Sequence, residues 1–192
     1  MSRDLAIAVA GAPHVEVHGR FERHISARYR TLQGSNAGGR WGPPGAYSVL
    51  YLGRPRDSIA VEAYRHLVDP FTDDGMTGDM VAARRLVVCD VAVTEILDLR
   101  GADGRLAVGL DDRTLSSAVG DYTACQAVGR VAHQLGLHGI LAPAATGLGE
   151  TLALFEEHLP AGELPTVVSD TQIWDGLPAD PRRLRLLKDD AG

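Results

Sequence analysis

The sequence predicts a single α+β domain in which short apolar strands and a few helices follow one another irregularly. A chain of 192 residues has the size of one domain with a substantial hydrophobic core. The strand-like runs do not alternate regularly with helical patterns, which argues against a doubly wound parallel sheet. The clearest helix is predicted at 121–135, where apolar residues recur every three to four positions.

A glycine-rich loop follows the first segments of the chain. Residues 5–11 form a short apolar run that fits either a strand or a helix. The charged segment 20–24 (R-F-E-R-H) is interpreted as a solvated surface segment. Residues 31–46 are rich in glycine and hold two adjacent prolines, which excludes regular structure there. Because Trp41 stands between glycines and prolines, we expect a structured ligand-binding loop rather than a linker.

The helix that follows carries a carboxylate in an apolar setting. Its first residues are expected at Asp57 or Ser58, either of which can cap it, and it ends near Leu67. Glu62 lies in the middle of this helix among alanine and valine residues. A packed carboxylate needs a partner, and Arg40 is the candidate.

The other segments complete the predicted domain, whose core is placed at about 20–170. Residues 70–83 lack periodicity and are interpreted as a mobile loop or lid beside the site, and residues 101–113 as a charged surface connection. The polar tail 176–192 is expected to be an exposed helix or partly disordered. Short apolar runs predict strands at 47–52, 86–91, 97–99, 139–143, 151–155 and 165–169.

Composition excludes several classes of function. The formal charge of −6 argues against a nucleic-acid-binding protein, which needs a basic face. Cys89 and Cys125 both lie in apolar runs and are interpreted as small buried hydrophobic residues rather than a disulfide or metal pair. No metal site is expected from the spacing of cysteine and histidine residues. Without a signal-like or membrane-spanning segment, we expect a cytoplasmic protein that does not bind membranes.

The residues that remain for chemistry are a cation, two aromatic rings and a carboxylate. The sequence contains neither a G-x-G-x-x-G dinucleotide fingerprint nor the G-K-[ST] of a phosphate-binding P-loop. Arg40 can bind a phosphate, and Trp41 or Tyr51 can stack on a planar ring. Glu62 can stabilise positive charge on a sugar or hold its hydroxyls. These side chains suit cleavage of an N-glycosidic bond in a nucleotide.

Several segments resemble the RES-domain family, over about residues 20–165. They occur in the family's order and spacing: G-G-R-W-G-P-P at 38–44, V-L-Y-L at 49–52, S-I-A-V-E at 58–62, D-Y-T-A-C-Q-A-V-G at 121–129 and H-G-I-L-A-P-A-A at 138–145. Members are toxins of bacterial toxin–antitoxin pairs. The resemblance implies an ADP-ribosyltransferase-like fold with a split β-sheet core and flanking helices.

The resemblance also assigns roles to individual residues. Arg40, Glu62 and Thr123 correspond to the Arg, Glu and Ser for which the family is named, and are expected to be catalytic. Arg20, Arg40, Tyr51 and Thr123 are expected to bind the substrate. Of the two aromatic residues, Tyr51 is then the ring contact, while Trp41 anchors the loop.

Three positions depart from the family's pattern. Thr123 stands where similar members have serine, which keeps the hydroxyl and adds a methyl group. Ala144 occupies a second position at which members place serine. Gly42 follows the tryptophan where asparagine is common. These differences affect the rate and the acceptor rather than the arginine–glutamate pair.

The function implied is degradation of NAD+. Members degrade NAD+, and the subgroup with C-Q-A-V-G includes an NAD+ phosphorylase. The expected reaction cleaves the nicotinamide–ribose bond, with inorganic phosphate as co-substrate, and gives ADP-ribose-1″-phosphate; water as acceptor would give ADP-ribose. Alternatives are protein ADP-ribosylation and a member that binds nucleotide or antitoxin without turnover. No cofactor is expected. The expected partner is an Xre-like antitoxin that covers the active site, and assembly into a higher-order toxin–antitoxin complex is a further expectation.

Overall fold

Two long antiparallel strands, β1 (His14–Ser26) and β3 (Arg84–Asp98), form the centre of the fold. In this computed structural model, residues 3–115 and 121–182 are described. The other strands are β2 (Leu50–Arg54), β4 (Gly139–Pro143), β5 (Glu150–Leu154) and β6 (Thr166–Trp174). The α-helices are α1 (Arg3–Gly11), α2 (Arg56–Leu67), α3 (Ala102–Ala107), α4 (Asp112–Leu115) and α5 (Thr123–Gln134). Four 3-10 turns lie at Asp69–Asp74, Gly78–Met80, Glu156–His158 and Ala161–Glu163.

The six strands pair as two halves of a split sheet. One half is antiparallel, with β3 between β1 and β6, and the other places β5 between β2 and β4. The halves are joined where the end of β3 pairs in parallel with β4, and where β1 meets β2 at Glu22 and Gly53. The α+β class and the split sheet with flanking helices are therefore confirmed.

Strand β1 is the strand that the sequence did not predict. The charged segment 20–24 lies inside it instead of being a solvated surface segment. The buried side chains are Val17, Phe21 and Ile25. They recur every fourth residue because the positions between them on the same face are Gly19, which is exposed, and Arg23, which is half-buried. Strict alternation of apolar and polar residues is the pattern by which strands are recognised, and it misses a strand in which some inward positions are not apolar.

Most other predicted elements are present with shifted ends. Strand β4 and helix α2 agree closely with prediction, and α1 resolves the ambiguity of residues 5–11 in favour of a helix. The predicted strands at 86–91 and 97–99 are two parts of the single strand β3. The expected side-chain cap of α2 is wrong, since Pro55 is the residue before its first turn and no side chain caps the helix.

Three segments predicted as irregular or exposed contain ordered contacts. Residues 70–83 include two 3-10 turns, and none of these residues lines the cleft that holds the candidate site, described below. The segment 101–113 contains helices, and Arg105 is buried there with hydrogen bonds to Leu99 O and Asp112. In the tail, Pro178 O accepts a hydrogen bond from Tyr64. Residues 183–192 of the predicted tail lie outside the described part of the chain.

The hydrophobic core fills the space on both sides of the sheet. Helix α5 contributes Cys125, Val128, Val131 and Ala132 to it, as the periodicity predicts. Both cysteines are buried and unpaired with each other, which confirms their interpretation as small hydrophobic residues. Burial raises the pKa of the Cys89 thiol to about 11, so this thiol remains protonated at neutral pH. Among the described residues, none of the helices is long and apolar enough to cross a membrane.

Candidate active site

A cleft of about 630 Å³ opens where the two halves of the sheet meet. Its lining comes from β1, the glycine-rich loop, β2, α2 and the first turn of α5. The size is within the range of pockets that bind cofactor-sized molecules. Of the predicted site residues, Arg40, Tyr51 and Glu62 line this cleft, whereas Arg20 and Thr123 are not among its lining residues.

Trp41 anchors the glycine-rich loop to the core. Its side chain is 1 % exposed. Its carbonyl oxygen accepts a hydrogen bond from the Tyr47 hydroxyl at 2.9 Å, and its N–H donates to the Tyr51 hydroxyl oxygen at 2.9 Å. Trp41 therefore holds the loop in place instead of presenting a stacking surface, and Arg40, the preceding residue, is fixed at the edge of the cleft.

Helix α5 packs directly against the backbone of this loop. Gly129 permits the approach, because a Cβ atom there would lie 2.0 Å from Trp41 O. One turn earlier on the helix, the Gln126 side-chain amide donates a hydrogen bond to Gly39 O at 2.9 Å. In the segment C-Q-A-V-G, Gly129 is therefore needed to let the loop backbone approach the helix, and Gln126 is needed to hold the loop by a hydrogen bond.

Tyr51 lies under the loop with its ring at the cleft. Burial raises the pKa of Tyr51 to about 12, so its phenol is neutral and its proton is free to be donated while the oxygen accepts from Trp41 N. This side chain both supports the loop and contributes an aromatic surface to the pocket.

Arg40 is positioned by contacts other than ion pairs. Its Nη1 donates to Thr114 O at 3.2 Å, and its guanidinium carbon lies 4.9 Å from the centre of the Tyr122 ring. The cation–π contact stabilises the arginine without neutralising its charge. Arg40 consequently retains donors for a ligand.

Glu62 faces the cleft from α2 but does not pair with Arg40. Its carboxylate lies 3.4 Å from His66 Nε2 on the next turn, and its side chain is 25 % exposed. The expected Arg40–Glu62 ion pair is therefore wrong. The two side chains still line the same cavity, so a ligand can contact both.

Arg20 lies outside the cleft, and Arg23 takes a place within it. The Arg20 side chain is 74 % exposed and lies 3.3 Å from Asp90. Arg23 lines the cleft and donates to Gln33 O at 3.0 Å. The course of the strand provides the missing signal, because β1 carries the consecutive residues Glu22, Arg23 and His24 along the cleft, whereas Arg20 lies before it. The charged segment was not recognised as a strand, so this signal was not available.

Thr123 begins helix α5 and is exposed. Tyr122 and Gln126 line the cleft, so Thr123 is close to the cavity in sequence without being one of its lining residues. The role of Thr123 in binding phosphate stays a prediction. Ala144, the second serine position, is buried at 4 % exposure, and its neighbour Ala145 contacts the cavity.

His24 and Arg84 form a polar cluster in the cleft that the sequence did not predict. Arg84 Nε donates to His24 Nδ1 at 3.1 Å, and the His24 ring stacks on Trp174 with centroids 6.3 Å apart. Burial, together with the charges of Arg84 and Arg23, lowers the pKa of His24 to about 3. His24 is therefore neutral, and its Nε2–H is available as a donor. His24 and Arg84 are far apart in sequence, and the pairing of β1 with β3 brings them together.

The cleft contains arginines without acidic partners. Arg23, Arg40 and Arg84 form no ion pair within 4.0 Å with any carboxylate of the described residues. Arg23 and Arg84 are half-buried, and this partial desolvation lowers the pKa of each guanidinium group. Desolvated cations of this kind bind anions strongly. The site is suited to a ligand that carries phosphate groups.

Comparison with known proteins agrees with this fold. The RES domain family matches residues 14–176, and the chain belongs to that family. The NAD(+) phosphorylase MbcT of Mycobacterium tuberculosis is 34 % identical over 145 residues, which cover 74 % of this chain and 76 % of the relative. MbcT of Mycobacterium bovis matches to the same extent. The crystal structure of the M. tuberculosis MbcT–MbcA toxin–antitoxin complex superimposes with a TM-score of 0.76 at 30 % identity, covering 96 % of this chain and 98 % of the other.

Proposed function

We propose that this protein is a toxin that degrades NAD+ by phosphorolysis of the nicotinamide–ribose bond. The observation that carries the proposal is one cleft lined by Glu62, Tyr51 and arginines that form no ion pair with a carboxylate in the described part of the chain. NAD+ has two phosphates, planar rings and a scissile N-glycosidic bond, which match these three kinds of group. The 34 % identity to an NAD(+) phosphorylase supports the same substrate and reaction.

The arginines bind the anionic part of the substrate. Arg40 and Arg23 approach the cavity from the loop and from β1, so the pyrophosphate can be held from two sides. Tyr51 packs along the nicotinamide end. Because guanidinium groups are fixed in this desolvated site, they hold the substrate without reorganising during the reaction.

Glu62 acts on the ribose. As the C1″–N bond breaks, its electron pair goes to the nicotinamide nitrogen, the pyridinium charge disappears and positive charge develops on the ribose. A carboxylate near this sugar stabilises that charge and can hold ribose hydroxyls. His66, which pairs with Glu62, keeps the carboxylate in position.

Inorganic phosphate captures the ribose. An unprotonated oxygen of hydrogen phosphate forms the new bond to C1″. The proton of hydrogen phosphate stays on another oxygen of the same group, so no general base is needed. The products are nicotinamide and ADP-ribose-1″-phosphate. Arg84 and the Nε2–H of His24 offer donors for this second anion, and Thr123 is placed at the start of α5 beside the cavity. Water as the acceptor would instead require removal of a proton.

An antitoxin partner follows from the same family relationship. The structural relative was crystallised as a toxin–antitoxin complex. We propose that the partner of this chain is an Xre-like antitoxin that covers the cleft. An open cavity lined by arginines and a carboxylate that act on NAD+ has to be blocked in the producing cell, and a protein that fills it prevents NAD+ from entering.

Nicotinamide release tests the proposal. Purified protein is incubated with NAD+, with and without inorganic phosphate, and the products are separated by chromatography. We expect nicotinamide and a phosphorylated ADP-ribose, formed faster with phosphate. Release of ADP-ribose independent of phosphate would assign water as the acceptor, and label from NAD+ on a macromolecule would assign a protein. Intact NAD+ in both reactions would contradict the proposed activity.

A further inference from the structure

A second cluster of functional groups lies at the opposite end of helix α5 from the cleft. His133, near the end of the helix, meets Glu157 and His158 of the 3-10 turn that follows β5. One nitrogen or oxygen donor from each residue lies within 4.8 Å of the other two. Gln126 contacts the loop at the cleft, and His133 is about 10 Å further along the helix axis, at 1.5 Å per residue. The cluster is therefore separate from the proposed reaction.

We propose that His133, Glu157 and His158 bind a divalent transition metal ion, with Zn²⁺ as the best match. Two imidazoles and one carboxylate are a donor set that zinc accepts, with water in the fourth position. Donor atoms around tetrahedral zinc are about 3.3 Å apart, given bonds of about 2 Å. The three donor atoms, which lie within 4.8 Å of one another, have to approach that spacing when the ion binds, and the Glu157 side chain, 55 % exposed, has room to move.

The hydrogen bond of His158 to a backbone carbonyl leaves its Nε2 available to a metal ion. Its Nδ1 lies 2.9 Å from Leu137 O, and a carbonyl oxygen can only accept, so Nδ1 carries the proton. The other ring nitrogen, Nε2, then has the lone pair that a metal requires. This carbonyl–histidine arrangement is the usual second contact of metal-binding histidines, because it fixes both the tautomer and the ring orientation.

His133 is held by aromatic packing. Its ring stacks on Tyr47 with centroids 3.9 Å apart and an interplanar angle of 13°. The His158 ring lies on its other side, with centroids 4.3 Å apart. The Nε2 atom of His133 contacts a carboxylate oxygen of Glu157, so this ring nitrogen and the carboxylate converge on one point. A site whose two rings are already oriented loses little entropy when the ion binds.

The ion would connect helix α5 to the turn beside the glycine-rich loop. Glu156, the first residue of that turn, accepts hydrogen bonds from Gly34 N at 2.8 Å and Ser48 Oγ at 3.1 Å. Tyr47 connects His133 to Trp41 O through its hydroxyl. A metal here has a structural role, stabilising the scaffold of the loop, and it takes no part in breaking the N-glycosidic bond.

Titration of untagged, EDTA-treated protein with Zn²⁺ tests the site by calorimetry. We expect one equivalent to bind. Glu157→Gln removes the anionic ligand, and His158→Asn removes Nε2 while its amide can still donate to Leu137 O; each should weaken Zn²⁺ binding at least tenfold. The matched control is Glu16→Gln, which changes an exposed His–Glu pair elsewhere, at 3.4 Å from His18, and should bind Zn²⁺ like the unmodified protein.

A thermal melt provides the second readout. Zn²⁺ should raise the melting temperature of the unmodified protein and of Glu16→Gln, but not that of Glu157→Gln, because an ion that binds only the folded state stabilises it. Absence of binding by the unmodified protein would overturn the proposal, and so would equal affinity in Glu157→Gln and His158→Asn. Neither result depends on NAD+ turnover.

Discussion

The arginines of the cleft and those of the outer surface have opposite surroundings. Outside the cleft, several guanidinium groups pair with carboxylates: Arg20 with Asp90, Arg85 with Asp170, Arg100 with Asp98, Arg182 with Asp69 and Asp180. Inside it, Arg23, Arg40 and Arg84 contact carbonyl oxygens, an aromatic ring or a neutral histidine. In a chain with one lysine and many arginines, residue type alone does not separate the two groups.

The difference distinguishes structural charges from functional ones. A charge taken out of water without a counterion costs free energy, and folding alone does not favour it. The paired outer arginines contribute modestly to stability, whereas the unpaired inner ones acquire their partner when an anion binds. The comparison therefore predicts that substitutions inside the cleft affect NAD+ turnover, and that those outside affect stability or nothing.

The largest effect is expected at the carboxylate that the inner arginines face. Glu62→Gln keeps the shape of the side chain but removes the charge that stabilises the developing ribose cation. We expect kcat for nicotinamide release to fall roughly a hundred- to a thousandfold, the cost of losing one preorganised electrostatic contact. Steady-state kinetics measures this, with Glu16→Gln as the control and thermal melting to establish folding. Unchanged kcat would remove Glu62 from the mechanism.

The next effect separates two arginines on the same strand. Arg23→Gln should lower kcat/KM for NAD+ about tenfold to a hundredfold, since a hydrogen bond to a charged group contributes about 1.5–3 kcal/mol. Arg20→Gln should leave kcat/KM within about twofold because that side chain is exposed and paired. The reverse pattern would show that the structural comparison of inner and outer arginines does not predict function.

A smaller effect is expected for an outer arginine with two partners. Arg182 donates to Asp69 and Asp180, and these hydrogen bonds raise its pKa. Arg182→Gln should lower the free energy of unfolding by about 1 kcal/mol and the melting temperature by about 2–4 °C. Nicotinamide release below the melting temperature should be unchanged. If the folded variant lost activity, Arg182 would belong with the functional arginines of the cleft.

The smallest effect at neutral pH concerns His24, and it grows in acid. Its pKa is lowered from 6.5 to about 3 in the folded protein, so the unfolded chain binds the extra proton first. Stability from this group is fully present above pH 6.5 and is lost as the pH falls from there towards 3. His24→Asn retains an acceptor for Arg84 and should flatten the fall in melting temperature between pH 7 and 5. His18→Asn, on the exposed part of β1, should leave it unchanged.

The fold could be predicted from sequence where periodicity reports burial. Helix α5 and strand β4 follow directly from their patterns, because their inward positions are apolar. Strand β1 could not be recognised, since the residues that face the cleft are polar for functional reasons. Its local pattern conflicts with its structure at the site itself, which is where such conflicts are expected.

The site could be predicted where a motif carries a backbone requirement. The glycine-rich loop placed Arg40 and Tyr51 at the cleft, and the apolar setting of the helix singled out Glu62. The Arg84–His24 contact depends on the register between β1 and β3, and no local pattern encodes a long-range register. The same limit explains the expected pairing of Arg40 with Glu62, which the structure replaces with the local His66 contact.

The fate of isotopically labelled phosphate tests the central claim most directly. The protein is incubated with NAD+ and inorganic phosphate that carries ¹⁸O at all four oxygens, and the mass of the ribose-containing product is measured by mass spectrometry. Attack by a phosphate oxygen on C1″ keeps every labelled oxygen, so we predict ADP-ribose-1″-phosphate with the complete label. Intact NAD+, or a product that lacks the label while the phosphate remains free, would contradict the account.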